Sequence, residues 1–347
     1  IHIGSNVKTI ADKAFANCTS LESISIPGSV TSIGTAQYCS TSDNTYAGTS
    51  LPFYKCTSLK SIRFEDGNAT LSLGSAYYNN GPSDYYYTYG KGLFYYSPLE
   101  EVYLGRNVQY IDYSTSSTFI GNPIKYGYSA FYNQSKLTKV TIGPEVESLP
   151  KYLFYKCTAI KDVSFGESLT SIGSYAFAGC TSLTSAMLPN SVTYIGSSSF
   201  GGCTSIQSAS LGNATTVGRS AFYNNQNLKN LTMSPNLKTI EEHGFYNTPN
   251  LKDVSLPSTL NSIGDYAFSY SGIRDIIIPS SVNRIGSNTF EYSNLQSVRF
   301  GDGVMSIGSA CFANSSLQNV LIGDKLTEIP ESCFEGCTYL SDIHIGS

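Results

Sequence analysis

The chain has 347 residues, 13 % of them charged, with a formal net charge of −4 and a pI near 5.4. That balance excludes an electrostatic nucleic-acid footprint, which needs clustered Lys and Arg. No apolar run approaches the ~18 residues of a membrane helix, so no direct membrane insertion is expected of this stretch.

Length alone predicts two or three globular domains, but a stacked repeat escapes that limit because each unit packs only on its neighbours. Such a repeat is present. Phe15, Phe53, Phe94, Phe131, Phe154, Phe177, Phe200, Phe222, Phe245, Phe268, Phe290, Phe312 and Phe334 mark thirteen copies, with 23 residues from Phe177 to Phe200 and again from Cys180 to Cys203. A fixed period of this size predicts one solenoid over 1–347, of about 13 rungs. After each Phe comes a run such as Leu251-Lys252-Asp253-Val254-Ser255-Leu256. Its alternation predicts a short strand with one buried face, ended by Pro or Gly (Pro27, Pro189, Gly166, Gly323). A second apolar pair follows, such as Val282 and Ile285, and then the next Phe. Ala-Phe-Ala-Gly-Cys is too brief for a nucleated α-helix, so the Phe is expected on a short helical turn.

The slot after the second apolar pair usually holds Gly (Gly34, Gly173, Gly264), but Pro150 and Pro330 also occupy it. Proline fixes φ near −65°, so the slot does not demand a left-handed backbone. The position three after Phe holds Cys in long turns (Cys18, Cys56, Cys157, Cys180, Cys203, Cys337) and Ser in the four short ones (Ser97, Ser271, Ser293, Ser315). Cys there reads as a small buried filler with a weak donor, and Ser as a side chain that bonds its own turn. Cys157, Cys180 and Cys203 share one slot, so their side chains run parallel, which disfavours disulfides. Cys39 stands outside the repeat. Ile1 opens in mid-strand and the last rung stops at Ser347. Solenoid ends carry polar caps, so the sequence reads as an excerpt of a longer chain.

The wording Ala-Phe-Ala-Asn-Cys-Thr-Ser-Leu at 14–21, Glu-Ser-Ile-Ser-Ile-Pro at 22–27 and Ser-Val-Thr-Ser-Ile-Gly at 29–34 resembles the BspA-like, or Treponema-type, leucine-rich repeats. The resemblance covers nearly the whole chain. It implies an α/β repeat solenoid of leucine-rich-repeat type, with a parallel β-face, short helical turns and little regular α-helix. It also implies a bacterial cell-surface or secreted protein, extracellular, of a kind often associated with adhesion to host or neighbouring-cell components.

The first third departs from the pattern. The gap from the second apolar pair to Phe is 5 residues from Ile172 to Phe177, but 20 from Ile33 to Phe53, 21 from Leu73 to Phe94 and 20 from Ile111 to Phe131. Three successive rungs therefore carry insertions at one structural position, about 35–51, 74–92 and 112–129. With strands ~4.8 Å apart, they are expected to merge into one protruding patch. They contain Tyr46; Tyr77, Tyr78, Tyr85, Tyr86, Tyr87 and Tyr89; and Tyr113, Tyr126 and Tyr128. Tyrosine offers apolar area and a hydroxyl at low entropic cost, the chemistry of adaptable paratopes. The same rings could instead pack together as a roof over the widened rungs. On the strand face the outward ladder is mostly Ser and Thr, broken near the insertions by Arg63 and Tyr103, which join the candidate binding residues.

No catalytic or metal site stands out. Three His are scattered, and His243 with Glu241 and Glu242 lacks the rest of a ligand set. There is no Gly-x-Ser-x-Gly, Walker loop or dinucleotide fingerprint, and pairs such as Asp84 with Asp112 have no spacing that singles them out for glycoside hydrolysis. The reading is a non-enzymatic extracellular binding or adhesion module without cofactors, recognising a host or neighbouring-cell protein or glycan. The alternative is a passive spacer that displays another domain.

Overall fold

The computed structural model describes residues 1–39, 49–79, 88–111 and 129–345, with side chains for all but 36–39, 76–79, 88–90 and 345. It resolves into two compact units, Ile1–Leu169 with Tyr175–Thr181, and Thr170–Ser174 with Ser182–Ser347.

Each rung supplies a strand to a parallel, in-register sheet. In the first unit Ser23–Ile26, Ser61–Phe64, Glu101–Leu104, Lys139–Ile142 and Asp162–Ser164 pair in chain order. In the second, Ser185–Leu188, Ser208–Leu211 and Asn230–Thr232 form one sheet, and Asp275–Ile278, Ser297–Phe300, Asn319–Ile322 and Asp342–Ile345 another. Between these sheets lies Leu251–Leu256, which is not a strand. Val254 and Leu256 are half-buried there, as are Val163 and Leu231 on the strands of other rungs, so burial does not set this run apart. The second apolar pair of each rung forms a further parallel ladder. Ser171–Ile172, Tyr194–Ile195, Thr216–Val217, Thr239–Ile240, Ser262–Ile263, Arg284–Ile285 and Ser306–Ile307 follow one another in the second unit. Alternate residues turn inward as the period requires: Ile24 and Ile26 are buried while Ser25 between them is not.

Among the described residues there is no helix. The turns expected to be helical are successive β-turns with a distinctive backbone. Outside the inserted rungs, where Leu51 and Tyr96 depart from the rule, the residues two before and two after Phe have positive φ, as in His243 (58°) and Asn247 (56°), Tyr266 and Tyr270 (both 56°), and Asn288 (54°) and Tyr292 (53°). The residues on either side of Phe do not, and their N–H groups close the turn itself, Gly244 donating to Glu241 and Tyr246 to His243, each at 3.1 Å. The N–H groups of Phe and of the residues two before and two after it then all point to the following rung. His243, Phe245 and Asn247 donate to Asp265, Ala267 and Ser269 at 2.9, 2.8 and 2.9 Å. Tyr266, Phe268 and Tyr270 donate to Ser287, Thr289 and Glu291, each at 2.9 Å. On the strand side the polarity is reversed: Gly264 and Gly286 donate back to Ile240 and Ile263 at 2.7 and 2.8 Å.

The Gly slot after the second apolar pair follows the expectation from Pro150 and Pro330: of its glycines only Gly34 has a positive φ. Elsewhere the reason for Gly is proximity, since a Cβ at Gly196 or Gly264 would lie 2.6 Å from the backbone nitrogen of Ser174 or Glu242.

The anchoring Phe rings form the core. Phe200, Phe222, Phe245, Phe268, Phe290 and Phe312 are fully buried and stack at centroid distances of 5.4 to 5.6 Å. In the first unit Phe94, Phe131, Phe154 and Phe177 do the same at 5.2 to 5.4 Å. The slot three after Phe closes this core. Cys56, Cys157, Cys180 and Cys337 direct Sγ to the Phe carbonyl of the preceding rung, and Gln134 and Asn225 reach the same kind of acceptor through side-chain amides. Ser293 instead bonds its own Phe290 carbonyl at 2.6 Å. The described cysteines are all free thiols.

Replacing Phe245 by Ala removes one ring from the middle of a stack and should cost ~3–5 kcal/mol. Because coupling runs between neighbours, urea unfolding followed by hydrogen exchange should show the rungs of Phe222 and Phe268 weakened before distant ones.

Candidate functional site

The strand register places Arg63 directly beside Tyr103. The Arg63 guanidinium lies 3.6 Å from the centre of the Tyr103 ring, Tyr103 OH donates to Asp66 Oδ1 at 2.5 Å, and Arg63 Nη2 is 3.8 Å from Asp66 Oδ2. Burial first, and then the Asp66 carboxylate, push the Tyr103 phenol above its usual range, against the pull of Arg63. Gly143 leaves room for that hydroxyl, since a Cβ there would lie 2.9 Å from it. The three side chains form a half-exposed planar stack with donor and acceptor edges in solvent, a surface that can pack against a ring or hydrogen-bond a polar ligand. Nearby on the same sheet lies a shallow depression lined by Thr138, Lys139, Val140, Lys161, Asp162 and Ser164.

The insertions start on the other sheet of the same rungs. Arg63 and Tyr103 therefore share rungs with them but not a sheet. The second apolar pair of the first inserted rung runs on as the strand Ser32–Cys39, and that of the next as Leu71–Asn79. These pair in parallel from Ser32↔Ser72 to Cys39↔Tyr78, with a bulge between Ile33 and Ala36. Thr88–Gly92 folds back antiparallel on Leu71–Asn79, pairing Tyr78 with Tyr89 and Tyr77 with Gly90. The feet of the insertions touch. A Cβ at Gly74 would lie 2.6 Å from the Thr35 carbonyl, and one at Gly92 would strike the Ser129 carbonyl where the third insertion returns. Tyr77, Tyr78 and Tyr89 thus lie on paired strands, and their side chains are outside the described residues, as is that of Cys39. Tyr46, Tyr85, Tyr86, Tyr87, Tyr113, Tyr126 and Tyr128, with Asp84 and Asp112, fall wholly outside them.

A family model described as BspA type Leucine rich repeat region (6 copies) matches residues 1–119, 124–224 and 215–341. The chain belongs to the BspA-type leucine-rich repeat family. A leucine-rich repeat protein of Bacteroides ovatus has a similar structure, with 26 % identity over 78 % of this chain and 75 % of that one and a TM-score of 0.54. A leucine-rich repeat protein of Eubacterium ventriosum is 21 % identical over 84 % and 81 %, with a TM-score of 0.47. A leucine rich cell surface protein of Faecalibacterium prausnitzii is 21 % identical over 99 % and 85 %, with a TM-score of 0.43. No curated protein matches at a significant level.

Two side chains that brace these BspA-type rungs were not singled out in the sequence. Lys91, at the foot of the second insertion, is buried, donates to Tyr96 OH at 2.8 Å and lies 5.2 Å from the Tyr95 and Tyr96 ring centres. Arg106 is fully buried and reaches back past one rung. Its Nη1 donates to the Gly28 and Val30 carbonyls at 2.8 and 2.7 Å, and Nη2 to that of Pro27 at 2.9 Å. Burial lowers its pKa, opposed by Glu65. A signal for Arg106 was present: it replaces the small or polar residue that follows the strand-ending Gly in other rungs, as in Gly166-Glu167. His243 packs face to face on Tyr266 at 4.9 Å, with Nδ1 3.1 Å from Glu242. Among the described residues no group of three or more His, Cys, Asp or Glu is placed to hold a metal.

Arg106→Met would remove the guanidinium from the Gly28, Val30 and Pro27 carbonyls, of which that of Pro27 also accepts from Val30 N–H at 3.0 Å, and should cost about 3 kcal/mol. Thermal denaturation should show the loss, whereas Arg63→Met, half in solvent, should change stability by under ~1 kcal/mol.

Proposed function

We propose that this chain is a non-enzymatic binding module of a bacterial cell surface, working outside the cell and recognising a protein or glycan through the Tyr-rich insertions of its first three rungs. The observation that carries the reading is the root of those insertions. Two of them leave the repeat as paired strands, and the third returns against them at Gly92. A ladder anchored this way is a rigid base on which short segments can be held in fixed relative positions, which lowers the entropy lost on binding. The Arg63–Tyr103–Asp66 stack on the strand face is the alternative platform, in keeping with the binding use of solenoid faces.

Two further features support an extracellular, non-catalytic role. Burial pushes the thiols of Cys157 and Cys333 up to about 12 and that of Cys56 up to about 11. A thiol without thiolate neither attacks nor oxidises readily, so these cysteines suit an oxidising exterior without bridging. The outward strand positions hold Ser or Thr at Ser25, Thr141, Ser164, Ser210, Thr232 and Ser255, and no Asp or Glu stands among them. Under the spacer reading, the insertions would be a roof with no ligand of their own.

Replacing Tyr85, Tyr86 and Tyr87 together by Ser leaves both strands of the hairpin in place. Binding to glycan arrays and to panels of extracellular proteins should fall at least about tenfold with little change in melting temperature, since the three positions lie between the paired strands Leu71–Asn79 and Thr88–Gly92 and outside the Phe core. Unchanged binding, or no binding by the parent chain at all, would favour the spacer.

A further inference from the structure

The turn ladder presents its side chains outward, and its charge is sorted by unit. Across the turns of the first unit, counted from four residues before each Phe to three after, stand Lys13, Lys55, Lys91, Lys151 and Lys156 against one acid, Asp12. Across the same positions in the second stand Glu241, Glu242, Asp265, Glu291, Glu331 and Glu335 against one base, Arg219. A chain with 13 % charged residues and a net charge of −4 has little charge to distribute, yet these turns divide it almost completely.

Most of this charge is unspent within the molecule. Lys13, Lys55, Lys151 and Lys156 are exposed and form no ion pair with the described residues; Lys55 and Lys156 rest 5.3 and 5.4 Å from the ring centres of Tyr54 and Tyr155. Glu331 and Glu335 are exposed and Glu291 half-buried, again without an ion pair among the described residues. Glu242 is neutralised by Arg219 at 2.8 Å. Both ridges are also aromatic. Tyr152 stacks on Tyr175 at 4.9 Å and Tyr132 on Tyr155 at 5.9 Å in the first unit. Tyr223 stacks on Tyr246 at 5.1 Å and Tyr270 on Tyr292 at 4.9 Å in the second, where Tyr270 and Tyr292 are 42 % and 47 % exposed. Tyrosine in the centre with charge beside it is the composition of a protein interface.

We propose that the basic turn ridge of the first unit binds the acidic turn ridge of the second unit in another copy of this chain. Complementary sign makes the two ridges attract and makes like ridges repel, which fixes the pairing. The repeat makes them commensurate. Both carry one Phe-centred turn per rung at nearly the same ring spacing, 5.1 to 5.4 Å in one and 5.4 to 5.6 Å in the other, so side chains can meet rung for rung. This pairing is independent of the insertions and of what they bind.

Sedimentation velocity on the intact chain tests it. Mass should rise with concentration at about 20 mM salt and fall back at about 500 mM, where the screening length drops from ~20 Å to ~4 Å. Lys55→Glu with Lys156→Glu should weaken association at least about tenfold, as should Glu291→Lys with Glu335→Lys. An equimolar mixture of the two double variants should associate again, because the unaltered acidic ridge of the Lys→Glu variant then meets the unaltered basic ridge of the Glu→Lys variant. A parent chain that stays monomeric at low salt, association unmoved by either pair of reversals, or a mixture that fails to recover while both variants keep the parent's circular dichroism and melting temperature, would each overturn the proposal.

Discussion

The constraint on which the structure depends is the direction of the backbone groups in the turn that carries Phe. A stacked repeat must satisfy the N–H and C=O groups of every turn it buries against the next, or lose about 1–3 kcal/mol for each orphan. Strands solve this by their pleat. A β-turn does not, because its carbonyls point in several directions. With left-handed residues two before and two after Phe, alternate N–H groups leave the turn, so that Ser220, Phe222 and Asn224 all donate to the following rung, and so do Asn288, Phe290 and Tyr292, while Ala221 and Tyr223 close the turn on Gly218 and Ser220. Holding a residue such as Tyr292 at positive φ costs ~1–2 kcal/mol. The inter-rung bonds and the buried ring stack offset that cost, which is why bulky side chains are tolerated there.

This division of labour separates architecture from surface. Phe, the two apolar pairs and the small residue three after Phe make the interior. The positions two before, one after and two after Phe carry Tyr, Lys, Glu or nothing larger than Gly, whereas the residue just before Phe is buried, as at Ala176, Ala221 and Ala267. The turn around Phe200 shows how free they are: Ser198, Gly201 and Gly202 occupy slots that hold Tyr175, Tyr223 or Tyr270 in other rungs. The point after the second apolar pair is also permissive: where a strand continues there, as at Ser32–Cys39 and Leu71–Asn79, the strand face keeps its register and Phe53 and Phe94 stay in contact at 5.1 Å, tilted by 32°. Function can be grafted at both places without reworking the core.

Much of the repeat was legible because its strongest physical demands recur at fixed spacing. The Phe positions, the inward alternation of residues such as Ile24 and Ile26, and the buried Cys slot need nothing beyond counting. The left-handed pairs were missed although a signal existed. Asn or Gly stands two after Phe at Asn17, Asn133, Gly179, Gly202, Asn224, Asn247, Asn314 and Gly336, the residues that enter that region most cheaply. At the Gly slot, by contrast, close approach rather than dihedral freedom matters. Leu251–Leu256 has the right alternation and the half-burial of Asp162–Ser164 and Asn230–Thr232, yet it is not a strand, and nothing in its burial explains the difference. Of the candidate site, the register that joins Arg63 to Tyr103 follows from the repeat, whereas the paired strands at the foot of the insertions do not, because Gly34-Thr35-Ala36-Gln37-Tyr38 has no distinctive periodicity. Arg106 acts across two rungs, a distance that no local pattern encodes.

Native-state hydrogen exchange, resolved by residue, addresses the turn ladder most directly. Isolated surface turns exchange within local fluctuations. The expected result is that the amides of His243, Phe245, Asn247, Tyr266, Phe268 and Tyr270 exchange only when the surrounding rungs open, as slowly as those of Ile276 and Val298 on the neighbouring strands. Fast exchange at those turn amides while the strand amides stay protected would contradict the ladder as the element that binds rung to rung.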